Sequence, residues 1–320
     1  MIENLGVKNV QFEELISLDA DTIRSLRSDL LPPPPKQRPS LTQQLNSPVY
    51  GVIFLFKWTR DQTKPSTPTT PQDGTYDDTA AEKGVFFAAQ TIQNACGTQA
   101  VLSVILNQDQ STPTNHSPID IGDELKSFKE FTIGFPPELL GEALSNSESI
   151  RTAHNAFAKS SPFVDETART GDEEGGDVFH FIAYTPVNGV LYELDGLQPH
   201  PISHGPCGED QFPEKVIEVV QRRIARYPEG ETMFNLMAVV KDLRVRGTEM
   251  GDTELVAREE RKREQWAWEN ALRRSNFVGF IGEMLKGVAG YKDMQGEKAY
   301  EEWVETAKGE TRKKIERRQL

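Results

Sequence analysis

The segment Val49-Tyr-Gly-Val-Ile-Phe-Leu-Phe-Lys-Trp58 restricts the fold more than any other stretch of this chain. Its β-branched and aromatic residues do not alternate with polar ones, so it reads as a strand buried on both faces. Around it, helical spacing predicts helices over 1–26 (Phe12, Leu15 and Ile16 share a face), 95–106 (Val101, Val104, Ile105), 119–131, 136–144, 147–158 and 213–226. Further strands are predicted at Val85-Phe86-Phe87, Val178–Thr185, Val190–Asp195 and Met233–Val240. The two strands flanking Asn188-Gly189 form the strongest hairpin signal in the chain, because Asn-Gly suits the left-handed backbone of a two-residue turn. Beyond about 250, charged residues crowd in, strand patterns stop and helices take over, which places a boundary near 243–252.

Three stretches interrupt this pattern. Residues 28–48 contain Pro32-Pro-Pro-Pro35 and read as an inserted surface loop, although such a stiff run also suits an aromatic-lined groove. Residues 59–83 are polar and rich in Thr, Pro and Asp, and 160–177 form an acidic, glycine-rich loop. The chain of 320 residues carries 36 Lys+Arg against 49 Asp+Glu, a net charge of −13. That balance argues against gripping nucleic acid and favours a basic partner. Two cysteines make no disulfide framework, so a reducing compartment is expected. The start, Met1-Ile-Glu-Asn-Leu-Gly, lacks the pattern of a signal peptide, and no apolar run is long enough to span a membrane.

The chemistry starts at Cys96. Asn94 is a good N-cap, which would put Cys96 in the first turn of the 95–106 helix, where free N–H groups and the helix dipole favour a thiolate. A lone cysteine there is more often a small buried residue. The hairpin changes the weighting: a two-residue turn at Asn188-Gly189 sets Ile182 opposite Asp195 and makes His180 its diagonal neighbour. A carboxylate in that position can hold an imidazole, although Asp195 could equally serve only to open the Asp195-Gly196 turn. Thiol, imidazole and orienting carboxylate are the parts of a cysteine hydrolase, which also needs a donor for the oxyanion. Gln90 is a reasonable donor, with the backbone N–H of Cys96 beside it. Gln93 and Gln99 compete, and spacing alone does not choose. His200, His204 and Cys207 lack an evident fourth ligand, so no metal and no cofactor is expected.

Gln90-Thr-Ile-Gln-Asn-Ala-Cys96-Gly-Thr-Gln-Ala-Val-Leu-Ser-Val-Ile-Leu-Asn107 resembles the active-site segment of the ubiquitin carboxyl-terminal hydrolases, a family of papain-like thiol proteases. His180-Phe-Ile-Ala-Tyr-Thr-Pro-Val-Asn-Gly-Val-Leu-Tyr-Glu-Leu-Asp195-Gly-Leu resembles that family's histidine–aspartate hairpin. Segments 143–157 and 234–238 are also similar to family segments. The resemblance implies an α/β (α+β) fold: a central, mostly antiparallel sheet flanked by helices over 1–245, then an all-helical extension over 250–320. It implies Cys96 as nucleophile, His180 as general base and acid, Asp195 as the residue orienting His180, and Gln90 rather than its neighbours as oxyanion stabiliser. The implied reaction is hydrolysis after the C-terminal glycine of ubiquitin, with 160–177 as a crossover loop limiting substrate size. A catalytically silent ubiquitin-binding scaffold is the alternative.

Asn276-Phe-Val-Gly-Phe-Ile-Gly-Glu-Met-Leu-Lys-Gly287 resembles the extension of the long, proteasome-associated members. By that resemblance the tail, ending Arg312-Lys-Lys-Ile-Glu-Arg-Arg-Gln-Leu320, binds a ubiquitin-receptor adaptor on the proteasome's regulatory particle, and the protein works in cytoplasm and nucleus. The same basic run also suits a solvated helix end. The family's domain opens with an acidic turn and a full first helix, and Met1 falls within what would be that helix.

Overall fold

The computed structural model describes residues 1–27, 48–58, 70–111, 118–156 and 178–319. Most of the 28–48 segment, the first part of 59–83 and the whole acidic loop 160–177, expected to be a crossover loop, therefore lie outside the described residues. Two compact units are present, the first continuing to Glu264 and the second covering the residues from Gln265 onward.

The first unit is built on a seven-stranded antiparallel sheet. Its strands are β1 (Val10–Glu14), β2 (Val49–Lys57), β3 (Thr75–Tyr76), β4 (Phe179–Val187), β5 (Val190–Leu194), β6 (Ile202–Pro206) and β7 (Phe234–Lys241), in the order β1-β7-β2-β4-β5-β6-β3. Strand β2 is central, as its apolar run predicts, and its side chains divide between two cores. Ile53 joins a cluster with Leu102, Val104 and Ile105 of α2 (Cys96–Ile105), Leu125 of α3 (Gly122–Phe131), Leu140 of α4 (Pro137–Asn146) and Ile150 of α5 (Glu148–Asn155). Val52, Phe54 and Phe56 join the other, with Ile23 of α1 (Ala20–Arg27) and Phe212, Val216 and Val220 of α6 (Phe212–Ile224). Burial on both faces explains why the β2 sequence shows no alternation.

The β4–β5 hairpin turns at Asn188 (φ 50°) and Gly189 (φ 78°), both left-handed, as a two-residue turn of this hand requires. The N-terminal region differs from the helix its spacing predicts. Asn9 takes φ 62°, breaking any helix there, and Val10–Glu14 pair with β7 as an edge strand. The backbone of β7 overrides a pattern too short to specify period. Val85-Phe86-Phe87 form no strand: the Asn107 amide bonds both the N–H and the carbonyl of Phe86, at 2.8 and 2.9 Å, taking the place of a neighbouring strand. Strand β6 has no strand pattern in the sequence, because Gly205 and Pro206 interrupt it, and it forms by pairing with β5 and β3.

Past the sheet run α7 (Leu243–Met250) and α8 (Thr253–Arg274). The first half of α8 belongs to the first unit, where buried Glu259 meets buried Gln11 of β1 and Lys262 reaches Glu13. Arg263 bonds Asp242 at 2.8 Å. This polar seam covers β1, an edge that would otherwise offer an unpaired strand. The second unit holds the rest of α8, α9 (Val278–Met294) and α10 (Glu297–Gln319). No helix among the described residues is long and apolar enough to cross a membrane.

Helix α2 sits so close to the sheet that Gly51 of β2 is forced: a Cβ there would lie 2.7 Å from the Tyr184 carbonyl and 2.9 Å from a Val104 methyl. Gly51→Ala is therefore expected to destabilise the protein by about 1–3 kcal/mol, because overpacking against backbone cannot relax by rotamer change. A thermal midpoint equal to wild type would contradict this packing.

Candidate active site

Between Phe87 and Asn94 the chain has no regular structure and is held from two sides. The Ala89 N–H donates to the Pro137 carbonyl of α4 (2.8 Å), and the Gln90 N–H to the Gly196 carbonyl beyond β5 (2.8 Å). Helix α4 approaches so closely that a Cβ on Gly141 would collide with the Ala89 carbonyl oxygen. A glycine in mid-helix is the sequence signal for that approach.

Asn94 is not the N-cap. It adopts φ 64°, a left-handed turn that asparagine tolerates better than most residues, and Ala95 caps the helix without a side-chain bond. Cys96 is thus the first residue of α2. The first helical bond runs from Gln99 N–H to Ala95 O (2.9 Å), so the N–H groups before it are available at the positive end of the dipole. This end lies on β4, with the Phe181 ring beside Gly97 at packing distance.

The hairpin delivers the second component. Ala183 pairs with Leu194, which places His180 diagonal to Asp195, as the turn predicts. His180 Nε2 and Asp195 Oδ1 are 2.7 Å apart, and both residues are buried. The Leu197 N–H also donates to Oδ1, at 3.0 Å. Nδ1 is then the ring nitrogen left for the hydrogen bond between His180 and the Cys96 thiol. On β2, Phe56 is the cross-strand partner of His180, and its ring meets the imidazole edge-on at 5.7 Å.

Electrostatics follow from this contact. Burial of Cys96 opposes ionisation, but the hydrogen bond and charge of His180 together with the Phe181 and Gly97 N–H groups outweigh it, so the thiol titrates below its ordinary value. Burial of His180 likewise opposes its charge. The hydrogen bonds and charges of Asp195 and Cys96 overcome that and raise the imidazole from 6.5 to about 9. Each group's charge favours the other's, so the arrangement favours a thiolate beside an imidazolium.

The structure brings Cys96, His180 and Asp195 together. Gln90 lies on the segment tied to Gly196, with its amide donating to the Ile92 carbonyl (3.1 Å) and its Oε1 buried without a partner. Gln99 donates to the Ala88 carbonyl, and Gln93 is exposed. A cleft of about 410 Å³ opens beside the segment, lined among others by Ala89, Thr91, Asn94, Ala95, Gln99 and His154. The His200–Cys207 region is otherwise engaged: His204 meets Glu193 at 3.1 Å, and Cys207 is buried. No group of three or more His, Cys, Asp or Glu able to hold a metal occurs among the described residues.

Comparison with known proteins identifies a family for the chain. A family described as "Ubiquitin carboxyl-terminal hydrolase, family 1" matches residues 1–225, and "Ubiquitin carboxyl-terminal hydrolases" matches 253–292. The chain is 44% identical over 314 residues to ubiquitin carboxyl-terminal hydrolase 2 of Schizosaccharomyces pombe, covering 96% of this chain and 92% of the relative. It is 32% identical over 308 residues to ubiquitin carboxyl-terminal hydrolase ubh-4 of Caenorhabditis elegans, covering 90% and 83%. Among solved structures it is similar to the Trichinella spiralis UCH37 catalytic domain bound to ubiquitin vinyl methyl ester, with 34% identity, a TM-score of 0.54, and coverage of 75% of this chain and 89% of that one. A half-buried thiol at a helix start, a buried histidine–carboxylate pair beside it and kinship along nearly the whole chain converge on one conclusion: this protein belongs to the ubiquitin carboxyl-terminal hydrolases of family 1 and is a thiol-dependent ubiquitinyl hydrolase.

Proposed function

We propose that Cys96, His180 and Asp195 form the catalytic triad of a deubiquitinase that cleaves after the C-terminal glycine of ubiquitin. The observation carrying this reading is the buried 2.7 Å contact between His180 and Asp195, next to a thiol whose ionisation His180 favours. In the proposed reaction the Cys96 sulfur attacks the scissile carbonyl carbon and forms the C–S bond of a tetrahedral intermediate. The oxyanion is met by the Cys96 N–H at the head of α2 and by the Gln90 amide, which exchanges its bond to the Ile92 carbonyl for one to the substrate. The His180 imidazolium gives its proton to the departing amine as the C–N bond breaks. Neutral His180 then takes a proton from water, the hydroxide adds to the thioester, and Cys96 leaves as thiolate. Asp195 fixes the ring through its bond to Nε2.

The substrate class rests on kinship: the Trichinella relative is described in complex with a ubiquitin ester. For the tail, the proposed partner is a ubiquitin-receptor adaptor of the proteasome's regulatory particle. Within the second unit, Phe280, Ile281, Met284 and Leu285 of α9 are exposed, and the family match extends through this helix to residue 292. Action in cytoplasm and nucleus follows from that partner. Deleting 265–320 is expected to abolish co-purification with proteasomes, and retained co-purification would remove the tail from this role.

Ubiquitin vinyl methyl ester is expected to label Cys96, as read by intact mass, and to leave Cys96→Ala unlabelled. Wild-type protein that stays unlabelled, alone and with proteasomes, would instead support a silent ubiquitin-binding scaffold. His180→Ala should lower kcat/KM by roughly 10²-fold or more.

The pH profile has a determined sign. The raised His180 keeps its proton up to about 9, so kcat/KM should fall as pH rises through that value. The lowered Cys96 loses its proton below the ordinary thiol value, so activity should persist below it and fall only when the thiolate is reprotonated. Asp195→Asn removes the main support for the imidazolium, and its alkaline limb should move down. An unmoved limb would show that Asp195 does not hold His180.

A further inference from the structure

Arg223 lies in the last turn of α6 and is buried. Its guanidinium hydrogen-bonds the carboxylate of Glu193 on β5, which is also buried. Glu193 has a second partner, His204 Nε2 of β6, at 3.1 Å. The guanidinium carbon sits 4.5 Å from the centroid of the Phe56 ring. That ring faces His180, with centroids 5.7 Å apart and planes at 86°. A buried cation is therefore one aromatic ring away from the imidazole, and it touches neither the sulfur nor the imidazole.

A buried ion pair adds little stability over apolar residues of the same volume, so its presence calls for another reason. A leucine or methionine would fill the space between α6 and Phe56. A guanidinium does more: it is flat, it stacks on an aromatic face, and its donors are fixed in direction. Anchored by Glu193, it adds a fixed plane to a ring that Phe54 (5.4 Å) and Tyr227 (6.3 Å) also pack against. Burial works against the charge on Glu193, yet Arg223 and His204 hold its carboxyl down to about 2, so the anchor stays ionised across the working pH range. The other titratable groups whose charge Arg223 feels are Tyr184, Asp195 and Tyr227.

We propose that Arg223 is a positioning residue for the hydrolase reaction: locked to Glu193 and stacked on Phe56, it fixes the aromatic wall that holds His180 in line with Cys96. The proposal rests on the reading of Cys96 and His180 given above. Arg223→Lys in the full-length chain tests it, because lysine keeps the charge beside Glu193 and loses the plane. Three quantities are read: kcat and KM on a ubiquitin coumarylamide, the pH dependence of Cys96 alkylation by iodoacetamide, and the thermal midpoint.

The expected result is a kcat lower by about tenfold, an unchanged KM, and a Cys96 alkylation midpoint moved up towards the ordinary thiol value. Phe56→Leu should move the alkylation midpoint the same way, and the double variant should go no further. Should Arg223→Lys fail to fold, Glu193→Gln/Arg223→Gln, which keeps a neutral amide pair in the same space, carries the same expectations. A folded variant with wild-type kcat and alkylation profile overturns the proposal, as does a loss of activity that tracks the thermal midpoint alone. Wild-type protein whose Cys96 alkylates like an ordinary thiol and turns over no substrate would instead remove the reading of Cys96 and His180, and this proposal with it.

Discussion

The close approach of helix α2 to strands β2 and β4 is the contact on which the rest of this hydrolase depends. Gly51 admits Val104 and the Tyr184 carbonyl, and the Phe181 ring packs beside Gly97. With a side chain at Gly51 the helix or the neighbouring strand would have to shift. The same approach sets the head of α2 beside the end of β4, so packing in the core and placement of the thiol are one event. Helix α4 acts similarly on the other side, where Gly141 meets the Ala89 carbonyl and the Pro137 carbonyl receives the Ala89 N–H.

Charge at the site is maintained against burial. The Cys96 sulfur and the His180 ring both lie where desolvation disfavours ions, and each favours the other's charged form, with Asp195 supporting the imidazolium. Such a pair is cooperative: loss of one member returns the other towards its neutral form. Farther from the thiol, Glu193, Arg223 and His204 form a second buried polar group, with Phe56 between Arg223 and His180. The two groups together load one face of the sheet with ionisable residues that an ordinary core would exclude.

Several features were legible in the chain before folding. The β2 run announced a doubly covered strand, and Asn188-Gly189 announced the hairpin with its register, from which the diagonal contact of His180 and Asp195 follows. These succeeded because turn chemistry and side-chain period are local. Expectations failed where a long-range partner decided the outcome. Val10–Glu14 became a strand because β7 offered an edge. Phe86 needed no strand because Asn107 supplied both hydrogen bonds. Asn94 left the cap position because the chain has to turn sharply from the segment tied to Gly196 into α2.

The residues alone determined which groups are present, the hairpin register that brings an imidazole to a carboxylate, and the helix start that carries the thiol, since each depends on neighbours a few positions away. Only the tertiary structure decided that thiol and imidazole meet, that Gln90 is tied to the turn after Asp195 while Gln99 is engaged with Ala88, and that Arg223 seats on Phe56. Those contacts join segments far apart in the chain, and their geometry comes from sheet order and helix packing, which no local pattern encodes.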